Sequence, residues 1–136
     1  MDWSDVRRLT RRRSRHRQEA DDRIVLHWRS EHDGAVQVLR FVRGHEDALT
    51  LVVEVCPLAW LPPGAAQRAA RHLKFSALLA NQGMWVLRRV VPLARVAADE
   101  IDALVDWMVH EANWVRKHGA AFRADARPMS AYVETM

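Results

Sequence analysis

PGAAQRAARHLKFSALLANQGMWVLRRVVP, Pro63 to Pro92, is the stretch whose reading decides the fold. Pro63 is suited to the first position of a helix, where its missing N–H is not needed. From there Ala66, Ala69, Ala70, Leu73, Ala77 and Ala80 recur at helical spacing, which predicts a helix through Ala80 with a small-residue face. Asn81-Gln82-Gly83 stops that helix, and Met84 to Val91 reads as a strand. Trp85, Leu87 and Val91 oppose Met84, Val86 and Val90, and Pro92 ends the run. A helix that feeds a single strand joins whatever sheet precedes it to whatever helix follows.

Upstream, three β-rich runs precede the helix. Ile24, Leu26 and Trp28 share one face by the period of two. Glu31-His32-Asp33-Gly34 supplies a turn, and Ala35 to Val42 forms the second run. Arg43-Gly44-His45-Glu46-Asp47 turns the chain again. In the third run Leu49, Leu51, Val53 and Val55 alternate with Thr50, Val52, Glu54 and Cys56. These runs predict an antiparallel meander. The connection from Cys56 to Pro63 holds three prolines, so it crosses the fold instead of extending the sheet. Ahead of the meander, Trp3, Val6 and Leu9 follow the capping residues Asp2 and Ser4 and predict a first helix over Ser4–Ala20.

Downstream, Ala97 to Lys117 reads as a long helix with Asp99 and Glu100 in its first turn and Arg116, Lys117, His118 and Gly119 at its end. Ile101, Leu104, Val105, Met108, Ala112 and Val115 make an ordinary core stripe. About 100° around the axis by the helical period, Ala103, Trp107 and Trp114 make a second one. Burying an aromatic side chain contributes on the order of 1.5–3 kcal/mol, so something is expected to cover those tryptophans. The candidates are the chain's own tail or first helix, a second copy, or a bound polypeptide. Leu58 and Trp60 in the proline-rich connection, and Trp85 on the later strand, complete the candidate contact residues.

The expected order is helix, three strands, helix, strand, helix: an α+β domain with a small antiparallel sheet packed on helices. With Ala77-Leu78-Leu79-Ala80-Asn81, Gly83 to Leu93 and the helix ending Glu111-Ala112-Asn113-Trp114, this resembles the type III secretion chaperone-like fold of CesT-type effector chaperones and YbjN-like bacterial proteins. The resemblance covers roughly Val36 to Lys117. It implies a small non-enzymatic homodimer that holds an extended or partly folded segment of another protein. The family places a two-stranded hairpin between its second and third helices, where this sequence leaves room for about one strand. The family is also generally acidic, in contrast to the Arg-rich first helix.

The basicity is local. Arg7, Arg8, Arg11, Arg12, Arg13, Arg15 and Arg17 carry +7 with no acid among them, against +4 for the whole chain, so the remainder stands at −3. Residues 1–22 are therefore set apart as an Arg-rich helix, 23–119 as the α+β domain and 120–136 as a tail. The arginines suit a solvated face, nucleic-acid phosphates or an acidic protein. Trp3, the only aromatic of that helix, lies outside the run, which gives little support for base stacking. With few apolar residues after Leu9, an anionic membrane surface is the weakest reading.

At 136 residues and 49% hydrophobic composition, one domain can bury a core without disulfides or metal. No apolar run is long enough to span a bilayer and no secretory signal opens the chain, which with the lone Cys56 predicts a cytoplasmic protein. His27, His32, His45, His72, His110 and His118 fall on separate predicted elements, so no metal site or cofactor is expected. No GxSxG, P-loop or GxGxxG occurs, and no enzyme or small-molecule substrate is indicated. The expected function is non-catalytic polypeptide binding. A nucleic-acid-associated module and a structural subunit of a larger assembly are the alternatives.

Overall fold

The computed structural model describes residues 1–11, 16–29 and 36–125. Along them run α1 (Trp3–Thr10), β1 (His16–Ala20), β2 (Arg23–Arg29), β3 (Val36–Arg43), β4 (Ala48–Pro57), α2 (Pro63–Ala70), β5 (Ala77–Asn81), β6 (Met84–Pro92) and α3 (Glu100–Asp125). The strands form one antiparallel sheet in the order β1-β2-β3-β4-β6-β5. The expected α+β class and the meander β2-β3-β4 are both present. The sheet has two strands more than expected.

The core lies on one face of the sheet. Leu49, Leu51, Val53 and Val55 of β4 are all buried, as their alternation requires. They meet Ile24 and Leu26 of β2, Leu39 and Phe41 of β3, and Leu87 and Val91 of β6 in one cluster. Helix α3 closes that cluster with Ile101, Val105, Met108, Ala112 and Val115, five of the six residues of its expected core stripe; Leu104 is half-buried. Helix α1 adds Trp3 and Val6, and α2 adds Ala65 and Ala66. A register shift between Glu54 and Cys56 turns both Val55 and Cys56 inward.

The first extra strand replaces the second half of the first predicted helix, which ends at Thr10 and does not reach Ala20. Beyond Leu9 the sequence offers no apolar stripe to hold a helix on the core, and the main chain of His16–Ala20 instead pairs along the edge of β2. Helix α1 is tied to that hairpin: Trp3 Nε1 donates to the Asp21 carbonyl at 2.8 Å, and Arg7 Nε lies 2.9 Å from Glu19 Oε1. At the start of α1, Asp2 and Asp5 cap each other's backbone N–H at 3.0 Å. The backbone N–H of Asp2, reinforced by Arg8, holds the Asp5 carboxyl below the usual carboxylate range.

The second extra strand overturns the long helix predicted over Pro63–Ala80. Helix α2 stops at Ala70, and Ala77–Asn81 is β5. Asn81 pairs with Met84 across Gln82 and Gly83, whose φ values are 50° and 79°. Positive φ at both central residues is the mirror-type turn that joins twisted strands in a two-residue hairpin. The Leu-Leu-Ala-Asn segment read as a helix end is thus the outgoing arm of a hairpin. With it, two strands lie between α2 and α3, as the resemblance implies.

The third difference is at Gly119. Read as a helix stop, it lies inside α3, which continues to Asp125. A Cβ there would stand 2.7 Å from Trp60 Cζ3. The glycine serves a close approach and does not end the helix. The tail expected over 120–136 is therefore helical as far as Asp125, and its remainder lies outside the described residues.

Candidate polypeptide-binding surface

The second apolar stripe of α3 divides between exposure and cover. Trp107 is 55% exposed, the most open large hydrophobic among the described residues. Trp114 is half-buried: His118 stacks on it at 4.6 Å between ring centroids, and His72 lies at 5.2 Å on a 38° tilt. Phe75 stacks on Trp107 at 6.1 Å, and His110 meets that indole edge-on at 6.1 Å. A cavity of about 270 Å³ opens among His72, Phe75, Trp107, His110 and Trp114. Histidines that looked scattered in sequence come together around the two tryptophans. Among the described residues, no group of three or more His, Cys, Asp or Glu is placed to hold a metal ion.

This aromatic shelf is fixed from beneath. Glu111 is only 7% exposed, and its carboxylate accepts from the backbone N–H of Lys74 at 3.0 Å and of Phe75 at 3.4 Å, and from Ser76 Oγ at 2.9 Å. The segment linking α2 to β5 is thereby pinned to α3. Arg89 of β6 grips Phe75 from the other side, with its guanidinium 3.9 Å from the ring centroid and Nη1 donating to the Phe75 carbonyl at 2.6 Å. Phe75, Arg89 and Glu111 were not among the candidate contact residues read from sequence. Glu111 had a signal: it lies three residues after Met108 and four before Val115, so a carboxylate stands on the core side of the helix.

A second polar device sets the height of α3 on the sheet. Arg116 Nε donates to the Val55 carbonyl at 2.8 Å and Nη2 to the Glu54 carbonyl at 2.6 Å, which satisfies groups at the irregularity of β4. Its Nη1 donates to Asn113 Oδ1 at 3.1 Å. A guanidinium only donates, so Asn113 must present its oxygen there, and buried Gln37 in turn gives Asn113 its NH₂ group. Beside this relay a groove of about 410 Å³ runs between Leu26 and Leu39 of the sheet and Val105, Val109, His110 and Asn113 of α3.

The other candidate residues gather at the far end of α3. Trp60 is half-buried beside Gly119, Trp85 Nε1 donates to the Leu61 carbonyl at 2.7 Å, and the Leu58 N–H donates to the Gly83 carbonyl at 3.0 Å. Leu58, Trp60 and Trp85 thus form a group separate from Trp107 and Phe75. Of the arginine run, Arg7 faces Glu19, Arg8 pairs with Asp5 at 3.0 Å, and Arg11 is exposed at the end of α1. Arg12, Arg13 and Arg15 lie outside the described residues, and Arg17 belongs to β1. The positions expected on one helix are therefore divided between a helix and a strand. No helix among the described residues is long and apolar enough to cross a membrane.

No protein-family model matches the sequence, and no curated protein matches it. Solved structures do match. A chain in the crystal structure of the ExsC–ExsE complex superposes with a TM-score of 0.65 at 15% identity, covering 88% of this chain and 97% of that one. A chain in the structure of the HopA1–SchA chaperone–effector complex gives 0.61 at 11% identity, covering 86% and 98%. Nearly the whole of each neighbour is matched, at identities where the backbone alone is compared: this chain has the type III secretion chaperone-like fold.

Proposed function

We propose that this chain is a non-catalytic, chaperone-like protein that binds a polypeptide, works as a homodimer or within a protein complex, and does so in the cytoplasm. The observation that carries the reading is the likeness, over most of the chain, to chains solved within the ExsC–ExsE complex and the HopA1–SchA chaperone–effector complex. Trp107 supports a location for the contact. An indole that is 55% exposed, backed by Phe75 and by a loop already pinned through Glu111, offers apolar area with little left to order on binding. Trp114 extends the same surface, and Leu58, Trp60 and Trp85 form its second part.

Affinity purification of the tagged protein from its native cytoplasm, with copurifying protein and nucleic acid both identified, tests this reading. A defined protein partner is the expected result. Trp107→Ala is expected to recover that partner at least about tenfold less well, because exposed aromatic anchors carry a large share of binding energy. Its urea-unfolding midpoint should stay near that of the parent, because an exposed ring contributes little to the core. Recovery of nucleic acid alone, or a Trp107→Ala variant that binds its partner unchanged, sinks the proposal in this form.

A further inference from the structure

We infer that the aromatic cavity at Trp107 takes a cationic side chain, an arginine or lysine of the bound polypeptide. The inference rests on the polypeptide site proposed above and names what that site selects.

The walls of the cavity are rings. Phe75, Trp107 and Trp114, with the imidazoles of His72 and His110, border about 270 Å³, the share of several waters. Aromatic faces carry partial negative charge, and indole attracts a cation more strongly than the rings of phenylalanine or tyrosine. The protein already uses this attraction beside the cavity, where the Arg89 guanidinium lies 3.9 Å from the Phe75 centroid. Trp107 is more than half exposed, so its indole is open to a second cation arriving from outside.

Glu111 adds a full negative charge to the same cavity and is almost wholly buried there. Its hydrogen-bond donors are two backbone N–H groups and the Ser76 hydroxyl, all of them neutral. Among the described residues no lysine or arginine forms an ion pair with it, and Lys74, at the rim, gives it only a backbone N–H. An apolar guest would bury that carboxylate further with no opposite charge, and an anionic guest would be repelled by it. A cation answers it in a setting where low dielectric strengthens the attraction.

The surrounding chain has the same sign. From Val96 to Val115 it carries Asp99, Glu100, Asp102, Asp106 and Glu111, and no lysine or arginine. Trp107 thus stands in an acidic segment of a chain whose net charge is +4. Such a field draws in basic segments and selects among partners. The rings and Glu111 then hold the charged end of one side chain.

Titration of the full chain with three blocked pentapeptides, Gly-Gly-Xaa-Gly-Gly with arginine, lysine or citrulline at the centre, tests this by NMR of the Trp107 and Trp114 indole N–H groups. Citrulline keeps the shape of arginine and lacks its charge. Saturable shifts are expected with the arginine or the lysine peptide, the tighter of the two identifying the side chain, and the citrulline peptide should bind at least about fivefold more weakly than the arginine one. Trp107→Leu keeps apolar area without a ring and should abolish the discrimination against citrulline. Absence of shifts with both cationic peptides, equal binding of arginine and citrulline, or discrimination that survives Trp107→Leu overturns the inference. The comparison on the parent needs no variant, so a substitution that fails to fold does not remove the test. A protein partner lost by Trp107→Ala but kept by Trp107→Leu leaves the polypeptide site standing and overturns the cation alone.

Discussion

Glu111→Ala is expected to lower the free energy of unfolding by about 3 kcal/mol, measured by urea denaturation. The carboxylate accepts from two backbone N–H groups and a hydroxyl in a largely buried setting. Hydrogen bonds to a charged group contribute roughly 1.5–3 kcal/mol each, and removing the shared acceptor leaves its donors partly stranded. The sum is not additive, because the loop can take up water once released, so the expectation lies near the value of one or two such bonds. Glu111→Gln keeps an acceptor of similar shape and should lose about half as much. Loosening at Phe75 should follow, visible as faster exchange of the Lys74 and Phe75 amides. A variant as stable as the parent would show that the clamp contributes nothing to holding the shelf.

Gly119→Val is expected to cost about 3 kcal/mol and Gly119→Ala about 1 kcal/mol, by the same measurement. Two effects oppose each other for alanine. In a helix interior, replacing glycine by alanine gains roughly 1 kcal/mol of intrinsic propensity. Against that, the new Cβ would lie 2.7 Å from Cζ3 and 3.1 Å from Cη2 of Trp60, well inside the contact distance between carbon atoms. The ring is rigid and packs against the core, so relief requires moving the whole indole. Overpacking of this kind costs about 1–3 kcal/mol, and it wins. In a Trp60→Leu background the clash is gone, and Gly119→Ala should become stabilising. If alanine stabilises the parent too, Trp60 does not occupy the space assigned to it.

What the sequence disclosed follows from which patterns a half-buried fold has to show. β4 had to alternate because its Leu49, Leu51, Val53 and Val55 face the helices, and it was legible for that reason. The core stripe of α3 was legible on the same grounds, at its own period. The two edge strands had no such constraint. Edge β1 carries polar residues with no apolar rhythm, so it was read as the continuation of the helix that Trp3, Val6 and Leu9 predict behind Asp2 and Ser4. In β5, Ala-Leu-Leu-Ala is composed of strong helix formers, and only the turn at Gln82-Gly83 distinguishes a hairpin from a helix end. At the surface, the surplus of Trp107 was visible on the helical wheel, whereas Phe75 and Arg89 reach it from a loop and a strand that no local pattern connects.

Cys56, the chain's lone thiol, is turned into the core beside the irregularity of β4, near the carbonyls that Arg116 holds. At 6% exposure it meets a maleimide or other alkylating reagent freely only when the sheet parts from the last helix. The rate at which the sulfur is modified therefore serves as a clock for that parting, ticking only when the molecule breathes.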